Sequence, residues 1–111
     1  MIITKNTKLN GVTNEPINVS PNCVLELHGI STGTIELEPQ AKCVLYGIHN
    51  GNILVDNAIC SINGILNGSI ANYGQVDIHG IVKECTFSGN PVLIHQNAIV
   101  NNKRYDSDSL T

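Results

Sequence analysis

The sequence predicts an all-β fold: a single small right-handed parallel β-helix of five to six coils, with about 16 to 18 residues in each coil. Three observations predict it. Glycines recur at a near-constant spacing, apolar residues alternate with polar ones between those glycines, and the composition favours strands over helices. Hydrophobic residues make up 41% of the 111 residues and are mostly Ile, Val and Leu, whereas aromatic residues make up only 4%. The polar residues are dominated by 15 asparagines and 10 glycines, which disfavour helices.

Glycine sets the length of the repeat. The glycines of the first series are separated by 18, 18, 17 and 16 residues, and they are Gly11, Gly29, Gly47, Gly64 and Gly80. A second series of Gly33, Gly51 and Gly68 predicts a turn in each coil, because glycine reaches positive φ easily. Near-equal periods of this length are the sequence signature of a solenoid.

Aliphatic residues hold fixed positions relative to the first glycine series. They stand two positions before each glycine and one, six and eight positions after most of them. We expect these side chains to point inward and to stack from coil to coil at about 4.8 Å. The residues directly after the glycines are Val12, Ile30, Ile48, Ile65 and Ile81.

The whole chain, residues 1–111, is predicted to form one β-helix domain. Regular coils are expected over about 9–87, an irregular last coil over 88–100, and a polar C-terminal cap or tail over 101–111. A polar end is expected because open strand edges otherwise recruit another chain. The N-terminus lacks the apolar segment of a secretory signal, and no apolar run approaches the ~18 residues of a membrane span. We therefore expect a cytoplasmic protein that does not bind membranes.

Charge and motifs limit the function. A net charge of −3 with six scattered Lys and Arg residues argues against nucleic acid as the partner and favours a basic protein. No nucleophile, phosphate-binding or metal-binding motif occurs, so we expect no enzyme activity, no cofactor and no metal. Four cysteines without C-x-x-C spacing are expected to be buried thiols.

The alternation places one set of polar and aromatic side chains on the outside of the helix. Tyrosine and histidine on a rigid sheet are suitable interface anchors, and neighbouring carboxylates would suit a basic partner. The predicted binding residues are Glu26, His28, Tyr46, Asn63, Asp77 and His79. Three aliphatic residues at positions expected to face outward, Leu54, Leu66 and Val82, form a second candidate surface.

Three segments have closely similar form: residues 28–35, 46–53 and 63–70 each contain a Gly-Ile pair, followed by a second glycine and a second isoleucine. This pattern, over roughly residues 9–82, resembles the bactofilins, bacterial polymer-forming proteins with a right-handed β-helix core. The resemblance implies a structural protein that self-associates through its coil ends.

Two functional hypotheses follow. The first is a small cytoplasmic immunity or inhibitor protein that neutralises a toxin, such as a basic nuclease, by covering its active site. The second is a bactofilin-like, self-assembling cytoskeletal protein.

Overall fold

The computed structural model describes residues 1–110, which form strands and turns and no helix. The eighteen strands are β1 (Ile2–Ile3), β2 (Thr7–Leu9), β3 (Val12–Thr13), β4 (Ile17–Val19), β5 (Val24–Leu27), β6 (Ile30–Ser31), β7 (Ile35–Leu37), β8 (Lys42–Leu45), β9 (Ile48–Asn50), β10 (Ile53–Ile62), β11 (Ile65–Asn67), β12 (Ile70–Ile78), β13 (Ile81–Lys83), β14 (Phe87–Gly89), β15 (Leu93–Ile94), β16 (Ile99–Val100), β17 (Lys103–Arg104) and β18 (Ser109–Leu110).

The strands stack in parallel to form a β-solenoid of about six turns, which confirms the predicted all-β repeat fold. The right-handed sense of winding stays a prediction. Each coil contributes to three faces. The acidic face consists of β1, β4, β7, residues 53–56 of β10, residues 70–73 of β12, and β14. The histidine face consists of β2, β5, β8, residues 59–62 of β10, residues 75–78 of β12, and β15. The isoleucine face consists of β3, β6, β9, β11, β13 and β16.

One corner of the coil accounts for the change in repeat length. From Ala58 to Asn72, every second residue is inward-facing or is a glycine at a corner, so the alternation runs unbroken around three faces. Between the acidic and histidine faces, a single residue, Tyr73, separates the inward Asn72 from Gly74. The coils of 17 and 18 residues carry one and two additional residues at this same corner, which we call the insertion corner.

Left-handed residues accommodate those additions. Asn22, Gln40 and Asn57 have φ values of 65°, 67° and 46°, and they occupy the insertion corner in successive coils. Asparagine tolerates this conformation better than most residues, because its short side chain hydrogen-bonds locally. The corner is also tied from coil to coil, since the Asn22 amide donates to the Gln40 carbonyl and the Gln40 amide donates to the Asn57 carbonyl.

The expectation that the aliphatic residue after each glycine points inward is wrong. Val12 and Ile30 are exposed, and their counterparts in the next coils are half-buried on the outside of the solenoid. The alternation continues through the glycine without a change of phase, so the glycine takes the inward position and the next residue points outward. The residues after these aliphatics are inward instead, and they include Ser31 and His49.

The same phase overturns part of the second candidate surface. Leu66 and Val82 were expected to face outward, but both are fully buried in the core. Each follows an outward isoleucine and fills the inward position of the isoleucine face. Leu54 lies on the outer side of the acidic face, where it is half-buried.

Amide side chains connect the coils outside and inside the core. On the isoleucine face, Asn67 Nδ2 donates to Asn50 Oδ1 in the coil before it, at 2.7 Å. Asn72 is fully buried; its Nδ2 donates to the Pro91 carbonyl at 3.1 Å, and its Oδ1 accepts from the Gly74 amide at 3.0 Å. These bonds satisfy polar atoms that would otherwise be costly to bury.

The C-terminal end of the solenoid is covered. Strand β17 pairs antiparallel with β16, and β18 pairs antiparallel with β15, so residues 103–110 lie along the outer edge of the last coil. The polar cap or tail predicted over 101–111 falls here, except for Thr111, which lies outside the described residues. A covered edge cannot pair with the strands of another chain.

Candidate protein-binding faces

The histidine face carries the six side chains predicted to bind a partner. His28, Tyr46, Asn63 and His79 are exposed in one column, and Glu26 and Asp77 are half-buried in the neighbouring column. The column continues into His95, because Ile78 pairs with Ile94 and the next residues are therefore adjacent. The sequence signal for His95 was weak, since it lies in the last coil, where the spacing is irregular.

Rings stack along this column in two pairs. The His28 and Tyr46 ring centroids are 4.8 Å apart with planes 18° from parallel, and the His79 and His95 centroids are 3.8 Å apart at 14°. Asn63 separates the two pairs, and its Nδ2 donates to Ser61 Oγ at 3.1 Å. The rings form a rigid surface that would lose little conformational entropy on binding.

The carboxylates of the histidine face already have partners within the chain. Glu26 Oε1 lies 3.2 Å from His28 Nε2, and Asp77 Oδ1 lies 3.5 Å from His95 Nε2. Gln75 Nε2 also donates to Asp77 Oδ2 at 3.2 Å. A cationic partner would have to compete with these contacts, so this face is not the best surface for a basic protein.

The acidic face combines three carboxylates with an aromatic and an aliphatic side chain. Glu38, Asp56 and Tyr73 occupy successive rungs of one outward column, because Val55 pairs with Leu37 and Asp56 pairs with Tyr73. In the column beside it, Leu54 pairs with both Glu36 and Ala71. We call the set Glu36, Glu38, Leu54, Asp56 and Tyr73 the acidic patch. Sequence reasoning missed its columns because the repeat length changes at the insertion corner, next to Asp56 and Tyr73.

Charge and exposure make the acidic patch available. Within residues 1–110, the ion pairs found involve Glu15, Glu26, Asp77 and Asp108, and none involves a carboxylate of the patch. The outward columns of this face contain no Lys or Arg. Tyr73 is 53% exposed. Like charges on adjacent rungs repel each other, and a cationic partner would relieve that repulsion.

A groove of about 530 Å³ runs beside the insertion corner. Its polar lining includes Asn22, Gln40 and Asn57, and its apolar lining includes Ile59, which is 42% exposed. Lys42 is the charged residue in the lining. The groove separates the acidic face from the histidine face and gives each an edge where a partner loop would fit.

One serine–histidine pair occurs, and it lies in the core rather than in an open site. Ser31 and His49 are fully buried; the serine hydroxyl donates to His49 Nδ1, and His49 Nε2 donates to the Asn52 carbonyl at 3.2 Å. Desolvation lowers the pKa of His49 more than the bond to Asn52 raises it. Because both ring nitrogens are occupied and no solvent reaches the hydroxyl, the pair is suited to filling the core, not to attacking a substrate.

His49 predicts a pH dependence of stability. The unfolded chain takes up a proton on this ring near pH 6.5, whereas the folded chain does so at lower pH. Folding should therefore lose stability as the pH falls from about 6.5 towards the folded-state pKa, by at most about 1.4 kcal/mol per pH unit. Urea unfolding between pH 8 and 5 measures this.

The control for that prediction is the double variant Ser31→Ala/His49→Leu, which places in this column the residue type found at Leu66. The variant should lose the part of the pH dependence that belongs to His49 and keep the part from the exposed histidines. An unchanged pH dependence in the variant would contradict the assignment.

All four cysteines are free and buried. Cys43 and Cys60 are direct neighbours in adjacent strands, and their mutual hydrogen bond, followed by burial, raises the pKa of the Cys60 thiol well above its ordinary value. Burial raises the pKa of Cys85 to about 11. Thiols of this kind are poor nucleophiles and poor metal ligands. In the described part of the chain, no three His, Cys, Asp or Glu side chains are grouped so as to hold a metal ion.

Comparisons with protein-family models, with curated proteins and with solved structures give no match for this chain. The resemblance to bactofilins therefore rests on the repeat pattern alone. Residues 1–110 include no helix with the length and hydrophobicity of a membrane span.

Proposed function

We propose that the chain is a non-catalytic binding protein that docks a basic protein on its acidic patch. The observation that carries the proposal is the patch itself: three carboxylates without ion-pair partners surround an exposed tyrosine on a rigid sheet. Such a combination gives both electrostatic steering and a large anchor that is already ordered. The face predicted from sequence has its carboxylates paired to histidines, so it is the weaker candidate for a cationic partner.

Within this class, an immunity or inhibitor protein of the cytoplasm is the function we favour. The toxins that such proteins neutralise are often basic nucleases, whose active sites bind phosphate through cationic groups. The patch would face those groups and block access to the substrate. The rigid solenoid would lose little entropy on docking, which favours tight inhibition.

A bactofilin-like structural protein is the second candidate, favoured by the parallel stack of coils. Polymerisation through coil ends requires free strand edges. The antiparallel strands β17 and β18 cover the last coil along β15 and β16 and weigh against stacking at that end. Negative-stain microscopy of the purified chain would show filaments if this second function holds.

The test of the first function uses the protein encoded beside this gene, because an immunity gene normally adjoins that of its toxin. We expect co-expression to restore the growth of bacterial cells that the neighbouring protein arrests, and calorimetry to show direct binding. Binding should weaken as salt increases. No rescue and no binding would rule out this function.

A charge-matched pair of variants tests the patch. The triple variant Glu36→Gln/Glu38→Gln/Asp56→Asn should bind at least ~10-fold more weakly than the wild type, because each lost ion pair at a docked interface is worth about 1 kcal/mol or more. The control Glu15→Gln/Glu84→Gln/Asp106→Asn removes the same charge elsewhere and should bind almost as the wild type does. Equal losses in both variants would show that net charge, and not the patch, drives binding.

A further inference from the structure

The isoleucine face carries a continuous aliphatic stripe along the whole stack of coils. Strand pairing places these six side chains in one outward column from coil to coil: Val12, Ile30, Ile48, Ile65, Ile81 and Ile99. Val12 is 67% exposed and Ile30 is 38% exposed, and the other four are half-buried against one another. Six rungs at about 4.8 Å give a straight apolar stripe about 25 Å long.

The polar column beside the stripe is already hydrogen-bonded within the chain. Thr32 Oγ1 donates to Asn14 Oδ1 at 3.1 Å, and Asn67 Nδ2 donates to Asn50 Oδ1 at 2.7 Å. Burying such side chains costs less than burying unpaired amides, because part of their hydrogen bonding is kept. The stripe and this column together form one flat surface suited to close packing.

Charge on this face is scarce and is placed at its ends. Between Val12 and Ile99, the two outward columns contain one charged residue, Lys83. Beyond the stripe, Arg104 pairs with Ile99 at the C-terminal end, and Glu15 lies at the N-terminal end. A second copy laid antiparallel across the face would bring the Arg104 end of one copy to the Glu15 end of the other.

From these observations we infer that the isoleucine face packs against the same face of a second copy of this chain, with the two solenoid axes antiparallel. Two flat sheets pack face to face about 10 Å apart, and stripes of identical pitch fit each other along their full length. This interface is separate from the acidic patch and leaves it free. It does not depend on the proposed function.

The size of the face sets the strength of the dimer. Two outward columns about 7 Å apart and six rungs long cover roughly 300 Å² of flat surface per copy. Two such faces bury an accessible area near the lower limit for specific interfaces. The dimer should therefore form at concentrations of tens to hundreds of micromolar rather than nanomolar.

A membrane surface fits this face less well than a second copy does. Helices and sheets that lie on membranes use aromatic and basic side chains at the interface. The stripe and the column beside it contain no aromatic residue, one lysine and no arginine. The face is also as flat as the sheet it would meet, as expected for a self-complementary surface.

Sedimentation equilibrium between ~20 µM and ~1 mM tests the inference. The weight-average mass of the wild type should rise from 11.9 kDa towards twice that value. The double variant Ile48→Thr/Ile65→Thr keeps β-branched side chains on the two central rungs but removes apolar surface, and its dissociation constant should rise at least ~10-fold. The control Ile59→Thr changes an exposed isoleucine on the histidine face and should dimerise as the wild type does.

Circular dichroism and melting temperatures would verify that each variant is folded. A wild type that remains monomeric at ~1 mM would overturn the inference, and so would a dimer that the central-rung variant leaves unchanged. Monomeric chain that co-sediments with phosphatidylcholine vesicles through the same isoleucines would also overturn it, because the occupant would then be a lipid surface.

Discussion

Replacing Gly47 with alanine should destabilise the fold more than any other single methyl group added on the surface side of the coils. A Cβ atom at Gly47 would lie closer than 3.0 Å to the carbonyl oxygens of Gly29 and His28 in the coil before it. Those atoms are backbone and cannot rotate away. At the same corner, the Tyr46 and Gly47 amides both donate to the Leu27 carbonyl at 2.9 Å. The clash must therefore separate two coils and weaken both bonds.

We expect Gly47→Ala to lower the free energy of unfolding by about 3 kcal/mol or more, a large fraction of the stability of a small domain. Gly11→Ala is the matched control, because Gly11 begins the same glycine series but a Cβ there has no neighbour within 4 Å. Its φ of 84° still disfavours alanine, so the control should cost about 1 kcal/mol. Urea unfolding of the two variants measures the difference. Equal costs would contradict the stacking of the glycine corners.

Leu66→Ala should have the second largest effect, and Ile65→Ala, one residue earlier, should have a small one. Leu66 is fully buried between the coils, whereas Ile65 is half-buried on the outer surface. Truncating a buried leucine costs about 2–5 kcal/mol through lost apolar burial and the cavity left behind. Truncating Ile65 removes partly exposed surface and some β-propensity, worth about 1 kcal/mol.

Thermal or urea unfolding of both alanine variants gives the comparison directly. The order of the two effects matters more than their absolute values, because the residues are adjacent and share the same strand. If Ile65→Ala cost more than Leu66→Ala, the isoleucines would be the inward residues and the aliphatic stripe would not exist.

The repeat was predictable because glycine spacing and two-residue alternation are both local signals. Each coil has the same corners, so the columns of Leu25, Leu45 and Ile53 could be aligned by counting from the glycines. The turns at Asn22, Gln40 and Asn57 were also visible as polar interruptions. The architecture therefore follows from the printed sequence.

The phase across the glycine was not predictable from hydrophobicity. Isoleucine follows the glycine in four coils, while serine and histidine occupy the next position in two of them, so an apolar residue appears to be the inward one. Only packing resolves this. The inward space at each glycine is filled by the backbone of the previous coil, which leaves the following isoleucine on the outside.

The surfaces were less predictable than the core, for a related reason. The acidic patch joins residues on both sides of coils whose lengths differ, so counting from the glycine misaligns Asp56 with Tyr73. His95 escaped notice because the last coil has an additional residue before Phe87, which pairs with Ile70. Ion pairs such as Asp77 with His95 require the three-dimensional register to be known.

The most direct test of the phase at the glycine corner, on which every surface assignment depends, is thiol labelling of Ile81→Cys and Val82→Cys. The four native cysteines are buried, so the background is low. With Ile81 on the outside and Val82 fully buried, the Ile81→Cys thiol should react with a soluble disulfide reagent within seconds to minutes. The Val82→Cys thiol should react only as fast as the chain unfolds. The opposite order of reactivity would contradict the structure at its central point and, with it, the isoleucine face.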